Sequence, residues 1–274
     1  MMELTEAAVC SAQLDQAVSG KKIVNVIAAQ SPHKFAWYYK DPEDYKDRLL
    51  GRRIQNAVSF GGMVELRADE IRVLFGEGVS IRYHQNNETP LTKHQLLITF
   101  EDNTAISASV VMYGGLWCFT EGEFDNPYYL IAKEKPSPLS EKFDLCYFKK
   151  LLSSTGTKSL SAKAFLATQQ RIPGLGNGLI QDILFLAGIH PRRKMQTLSD
   201  EEFNKLYQEL KQLLSKIIMM GGRDTEKDIF GNFGGYETIL SKKTLDQPCR
   251  SCNTTLTKET YLGGSIYYCS TCQK

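Results

Sequence analysis

The chain has 274 residues, 42% hydrophobic and 23% charged, a composition that suits a folded protein and excludes a disordered one. No stretch reaches the roughly 18 consecutive apolar residues that mark a membrane-spanning helix. The net charge of +2 is too small to argue for a nucleic-acid partner by itself, because that argument needs a basic face and not a basic total.

Taken in chain order, Met1-Met2-Glu3-Leu4 is followed by no apolar segment, so no signal peptide is expected and the compartment reads as reducing and cytoplasmic. Glu3 and Glu6 suit the start of a first helix, where acids favour the positive dipole end. From 23 to 130, apolar runs such as Ile23-Val24-Asn25-Val26-Ile27, Val64-Glu65-Leu66 and Leu96-Leu97-Ile98-Thr99-Phe100 alternate with turn clusters such as Gly61-Gly62 and Glu101-Asp102-Asn103, which predicts a β-rich domain. At Pro136-Ser137-Pro138 the texture changes to helical spacing, which places a boundary near 135–140.

Beyond it, 178–187 reads as a short apolar helix stopped by Gly188. The glycines of Pro173-Gly174-Leu175-Gly176-Asn177 would let backbone amides approach an anion at its N-terminus, and Asn177 is the expected cap. The clearest helix is 200–220: Ser199-Asp200-Glu201-Glu202 is a capping box, and Phe203, Leu206, Leu210, Leu213, Leu214 and Ile217 form its stripe. Between the two helices, Arg192, Arg193 and Lys194 offer charge for phosphate or form a solvated turn.

The tail carries Cys249-x2-Cys252 and Cys269-x2-Cys272, the spacing of a four-thiolate site. One tetrahedral Zn²⁺ is expected there, structural because all four positions are filled by protein; two disulfides would need an oxidising compartment. Cys10, Cys118 and Cys146 lack ligand spacing and read as core thiols.

The stretch from Ile172 through Arg192 resembles the helix–two-turns–helix signature of the formamidopyrimidine-DNA glycosylase / endonuclease VIII family. Pro138-Leu139-Ser140 is similar to that family's linker, Gly221-Gly222 to its post-helix turn, Lys93-His94 and Glu101-Asp102-Asn103 to parts of its β-domain, and the four-cysteine tail to its zinc finger. The resemblance implies an α+β protein: an N-terminal β-sandwich with flanking helices over 1–135, a helical helix–two-turns–helix domain over 140–240, and a zinc-finger hairpin over 241–274. It implies a monomer that binds damaged double-stranded DNA near the nucleoid, flips a nucleotide and cleaves its glycosidic bond. Gly174, Gly176, Asn177, Arg192, Lys93 and His94 are the expected DNA contacts.

Several residues depart from that family's pattern. Its second encoded residue is a proline whose amine attacks the sugar; here it is Met2, and because removal of Met1 needs a small following residue, the chain is expected to begin Met1-Met2. Its hairpin lysine is missing near Gly61-Gly62-Met63, its void-filling methionine is replaced by Glu77, and its finger arginine by Gly264. Glu3 and Glu6 remain, and a carboxylate beside the flipped sugar can activate water. The expected activity is therefore hydrolytic, on bases that leave readily such as hypoxanthine or alkyladenine. The alternatives are a catalytically inactive damage-binding protein and a bifunctional lyase using the amine of Met1 or Met2. His33, His84 and His94 are candidates to protonate a leaving purine or are structural; Tyr113, Phe75 and Phe230 are candidate wedges by size.

Overall fold

The computed structural model describes residues 2–86, 88 and 93–274, so the amine of Met1 lies outside the described residues. The chain divides into two compact units, one of Met1–Leu130 with Gly221–Gly235 and the other of Ile131–Met220 with Tyr236–Lys274.

The first unit opens with α1 (Leu4–Val18), followed by β1 (Ile23–Ala28), β2 (Ala36–Tyr38), α2 (Tyr45–Leu49), β3 (Asn56–Phe60), β4 (Met63–Ala68), β5 (Ile71–Phe75), β6 (Val79–His84), β7 (Leu96–Phe100), β8 (Ala105–Val110) and β9 (Gly114–Thr120). The apolar runs at 23–27, 64–66 and 96–100 lie inside β1, β4 and β7. One sheet has the order β1-β7-β8-β6 and the other β2-β9-β5-β4-β3; all neighbours are antiparallel except β2 and β9. Ile23, Ile98 and Ile106 of the first sheet share one core with Val64, Val73 and Leu116 of the second, which makes the unit a β-sandwich. Helix α1 adds Ala7, Cys10, Leu14 and Val18 to that core at helical spacing.

Strands β4 and β5 are buried at almost every position, not at alternate ones. Their second face is covered by an aromatic cluster in which Phe119 stacks on Phe124 at 4.6 Å between ring centroids, with Tyr129 beside both. Glu65 points into that layer, fully buried, accepting a hydrogen bond from the Tyr129 hydroxyl and one from Arg67 Nε at 2.8 Å. A buried carboxylate is tolerated there because it is bonded on both oxygens.

Helix α3 (Pro127–Glu134) runs across the division at Leu130. The second unit continues with α4 (Leu145–Ser153), α5 (Ala162–Ala167), α6 (Asn177–Ala187), α7 (Asp200–Met219) and the antiparallel ribbon of β10 (Thr257–Tyr261) and β11 (Gly264–Tyr268). Helix α7 begins with the Ser199/Glu202 capping box and buries all six residues of the expected stripe. Helix α6 ends at Gly188 in the left-handed region, φ +76°, as a stop residue should. Its start differs by one residue from the expectation: Gly176 is the N-cap and Asn177 the first helical residue, which turns the asparagine side chain away from capping. Phe148 of α4 stacks on Phe203 of α7 at 4.8 Å and closes this unit's core with Phe165 of α5. Cys10 and Cys118 are buried as expected of core thiols, whereas Cys146, on the outer face of α4, is exposed. Among the described residues, no helix is long and apolar enough to cross a membrane.

Candidate functional site

The candidate catalytic residues of the first unit cluster at the start of α1. Glu3 is the N-cap of a capping box in which its backbone N–H donates to Glu6 Oε2 at 3.2 Å. Thr5 Oγ1 donates to the other Glu6 oxygen at 3.1 Å. The dominant partner of Glu6, however, comes from far along the chain. Arg223 donates through Nε to Glu6 Oε1 at 2.8 Å and through Nη2 to Oε2 at 2.7 Å, a two-toothed clamp, and its Nη1 lies 3.6 Å from Glu3 Oε1.

The turn that carries Arg223 explains how it reaches α1. Gly221 and Gly222 both have positive φ, and a Cβ on Gly234 would lie 2.0 Å from the carbonyl carbon of Gly222, so only glycine lets the segment close on itself. Gln13 of α1 then donates to Asp228 at 3.0 Å, and Tyr83 of β6 donates its N–H to the Ile229 carbonyl at 2.7 Å. The segment is thus fastened to both the helix and the sheet.

Electrostatics separates the two acids of α1. Side-chain exposure is 4% for Arg223, 5% for Glu6 and 12% for Glu3. Burial opposes ionisation of Glu6, but hydrogen bonding and charge from Arg223 outweigh it and hold the carboxyl below its ordinary value. Burial likewise opposes the charge on Arg223, and Glu3 and Glu6 reverse that effect, so the guanidinium is held above its ordinary value. Glu6 is therefore committed to the clamp, and Glu3 stands at its edge, 3.6 Å from the same guanidinium. Next to them a cleft of about 320 Å³ is lined by Met2, Glu6, Gly78, Met112, Glu226 and Phe233. Cys10 lies at its floor with its thiol pushed up to about 12 by burial and by the charge of Glu6. Met2 itself is buried and lines the same cleft.

The remaining residues singled out from sequence fall in different places. Lys93 is exposed and His94, beside it, is buried. His84 is buried with Nε2 2.8 Å from Ser107 Oγ, and His33 accepts the Phe35 N–H, so neither reaches the cleft. Phe75 is 1% exposed in the centre of the five-stranded sheet and cannot serve as a wedge; Tyr113 and Phe230 are each 40% exposed. Arg223 carried no local sequence signal.

In the second unit, the Gly174 turn has φ +76° and Gly176 is extended, which brings Asn177 to the ribbon. Asn177 Nδ2 donates to the Ser265 carbonyl at 2.7 Å, while its Oδ1 is buried with no hydrogen-bond partner. Lys163 donates to the Tyr261 carbonyl at 2.7 Å, and Gly264 lies against both side chains, within 4 Å of where a Cβ would stand. Arg192 lies over the Tyr261 ring at 4.1 Å and pairs with Glu259 at 2.9 Å. Gln181 of α6 accepts the Tyr267 N–H at 2.6 Å, fixing the ribbon against the helix.

The four cysteine sulfurs lie within 4.8 Å of one another, with Cys249 3.7 Å from Cys272 and Cys252 3.4 Å from Cys269. Bonds of about 2.3 Å from a tetrahedral centre would set such sulfurs about 3.8 Å apart, so the cluster fits one metal ion. The first knuckle closes by Cys249 N–H donating to the Thr254 carbonyl at 2.8 Å, and the second by Gln273 N–H donating to the Cys269 carbonyl at 3.0 Å. The last residues then return to the end of α6: His190 N–H donates to the Lys274 carbonyl at 2.9 Å and Lys274 N–H to that of Gly188 at 3.0 Å.

Residues 135–228 match the model of the formamidopyrimidine-DNA glycosylase H2TH domain. The formamidopyrimidine-DNA glycosylase of Bacillus subtilis is 29% identical over 242 residues, 85% of each chain, and that of Bacillus cereus is 29% identical over 282 residues, covering 100% of this chain and 99% of its own. The Lactococcus lactis protein, solved in complex with DNA containing an abasic site, superposes with a TM-score of 0.83 at 24% identity over 99% of both chains. Residues 135–228 thus carry the H2TH domain of the formamidopyrimidine-DNA glycosylases, and the chain is similar to these proteins along its whole length. The matched stretch takes in α4, α5, the Gly174 turn, α6, the Gly188 turn and α7. Beside this similarity, the chain carries Met2 next to Glu3, Glu77 on the β5–β6 turn and Gly264 at the start of β11.

Proposed function

We propose that this chain is a DNA glycosylase that excises a damaged base from duplex DNA by hydrolysis. The observation that supports the reading is the acid pair at the start of α1: Arg223 clamps Glu6 with two hydrogen bonds and stands 3.6 Å from Glu3, with methionine, not proline, at position 2. Glu3 takes a proton from water as the water attacks C1′ of the flipped nucleotide, and its charge offsets the positive charge that develops on the sugar. With water as the attacking group, bases that leave readily are favoured, namely hypoxanthine and alkylated purines such as alkyladenine. No covalent intermediate forms, and the strand stays intact.

DNA is held through its backbone. Asn177, the amides of the Gly174–Gly176 turn, Arg192 and exposed Lys93 are the assigned phosphate contacts, and they position the duplex without reading its sequence. His94 is not retained among them, because its side chain is buried. We assign one structural Zn²⁺ to Cys249, Cys252, Cys269 and Cys272; the ion would hold the ribbon rigid and takes no part in bond cleavage.

A panel of lesion duplexes with separate readouts of base release and strand cleavage tests the reading. Base release from hypoxanthine or alkylpurine duplexes without cleavage, abolished by Glu3→Gln, is the expected result. A covalent adduct with abasic-site DNA under borohydride would instead identify an amine nucleophile, and binding without release of any base would identify an inactive damage-binding protein.

A further inference from the structure

Phe233 has no part in the scheme above, although its ring lines the cleft that Glu6 also lines. The ring is 59% exposed, and of the Gly221–Gly235 segment only Ile229 belongs to the core of the sandwich, so packing does not account for an aromatic residue at this position. Single exposed apolar residues are common on protein surfaces, and exposure alone assigns no role. What sets Phe233 apart is its place on the cleft and the way the chain around it is fixed.

Residues 227–233 form a closed loop. Lys227 and Phe233 are bridged as antiparallel partners, and Asp228 N–H donates to the Asn232 carbonyl at 2.9 Å. Asp228 Oδ1 accepts the N–H groups of Phe230 at 3.0 Å and Asn232 at 2.8 Å, and Gly231 makes the reversal at φ +85°. On the other side of the ring's attachment, Gly234 N–H donates to the carbonyls of Arg223 at 3.1 Å and Glu226 at 3.3 Å. Lys227 Nζ lies 5.1 Å from the Phe233 ring centroid and adds a cation–π contact. The backbone on both sides of the ring is thus fixed. The rest of the apolar lining comes from Met2, Val79, Ile81, Val111 and Met112, and the volume of about 320 Å³ falls within the ~300–1,000 Å³ typical of sites for small flat ligands.

We propose that Phe233 is the residue on which the flipped base stacks, and that it selects two-ring bases over one-ring bases. This rests on the reading above that the chain acts on a base turned out of the duplex. Such a base loses the stacking of both its neighbours, and an aromatic face in the cleft replaces part of it. Because the loop is fixed by its own hydrogen bonds, little ordering is needed when the base arrives. Stacking grows with the ring area that overlaps, so a purine gains more than a pyrimidine. It reads neither hydrogen-bond pattern nor exocyclic group, which lets one cleft receive hypoxanthine and an alkylated adenine alike.

The test compares binding, by fluorescence anisotropy, to duplexes that differ at one position: 2′-fluoro-2′-deoxyinosine, 2′-fluoro-2′-deoxyuridine, or a tetrahydrofuran abasic analogue. The fluorine opposes positive charge on the sugar, so the base stays attached and binding is read without reaction. The full chain is compared with Phe233→Ala, Phe233→Leu and Phe233→Tyr, each checked for folding by circular dichroism. Phe233→Ala is expected to weaken binding to the inosine duplex about tenfold or more, the scale of one lost base–aromatic stack, to weaken the uridine duplex less, and to leave the abasic duplex within about twofold. Phe233→Tyr should restore the inosine affinity, and Phe233→Leu, which keeps apolar bulk without a π face, should not. An unchanged inosine affinity, an equal loss on the abasic duplex, or full rescue by leucine would overturn the stacking role; an equal loss on the uridine duplex would overturn the preference for two rings. The hydrolytic reading fails separately, if the unaltered chain releases no hypoxanthine from an ordinary deoxyinosine duplex, and that outcome leaves the binding comparison intact.

Discussion

The second unit carries its chemistry in short, contiguous pieces of chain, whereas the first gathers its own from segments far apart. Each cysteine pair spans four residues, and the Gly174–Asn177 turn is a single loop before α6. In the first unit, Glu6 is clamped by a residue 217 positions away, and the Glu77 carboxyl has its place because of a glycine on another hairpin. Spacing along the chain fixes the first kind of site. The second exists only because a buried charge must be compensated or lose its ionisation.

Four measurements sharpen this contrast. The largest effect is expected at the cysteines. Structural zinc contributes on the order of 10–16 kcal/mol to small zinc-binding folds, so chelation or Cys269→Ser should unfold 249–274 and abolish duplex binding, read by circular dichroism and a filter-binding assay. A chelated chain that still bound DNA would show that the local site is dispensable. Next is Arg223→Met, which strands Glu6 in the core and should cost about 3–5 kcal/mol in urea unfolding at pH 7, with Glu6→Gln in the same chain recovering part of the loss.

The clamp also has a pH signature of definite sign. In the unaltered protein Glu6 is held below its unfolded value of about 4.3, so its contribution is complete above that pH and is lost as pH falls through the folded value. With Met at 223 the slope should reverse, stability falling as pH rises past about 4.3, because the buried carboxyl then ionises without a counter-charge. Identical acid limbs in the two proteins would show that the pair is idle. The smallest effect is Lys93→Ala, which should weaken duplex binding modestly and reduce the salt slope by about one unit, since one exposed lysine neutralises one phosphate.

The same contrast explains what sequence reading could reach. Helix α7 was legible at its start and along its stripe, and to within one residue at its end, because its cap and stripe are local and periodic, and so were Gly188 and the four cysteines. Strands β1, β4 and β7 could be placed, but the burial of β4 and β5 on both faces could not, since the aromatic layer over them is assembled from residues 39 to 129. Size alone misplaced Phe75 on the surface for that reason. The Asn177 cap was wrong by one residue because its amide is drawn to Ser265 of a distant strand, and glycine capped the helix in its place. Arg223 follows a glycine pair that reads as an ordinary helix stop; its partner is identified only when α1 lies beside it.

The Gly221–Gly235 segment also sets a timetable. Ribosomes add roughly 5–20 residues per second, so Glu6 emerges on the order of ten to forty seconds before the arginine, 217 residues later, that neutralises it. During that interval the nascent sandwich holds an unmatched acid at the point where α1 must seat, and the cleft lacks its Glu226 and Phe233 wall. The corner around α1 is therefore completed late in synthesis, and a truncated product ending before 221 would have strands β1 to β9 but not the arginine that clamps Glu6.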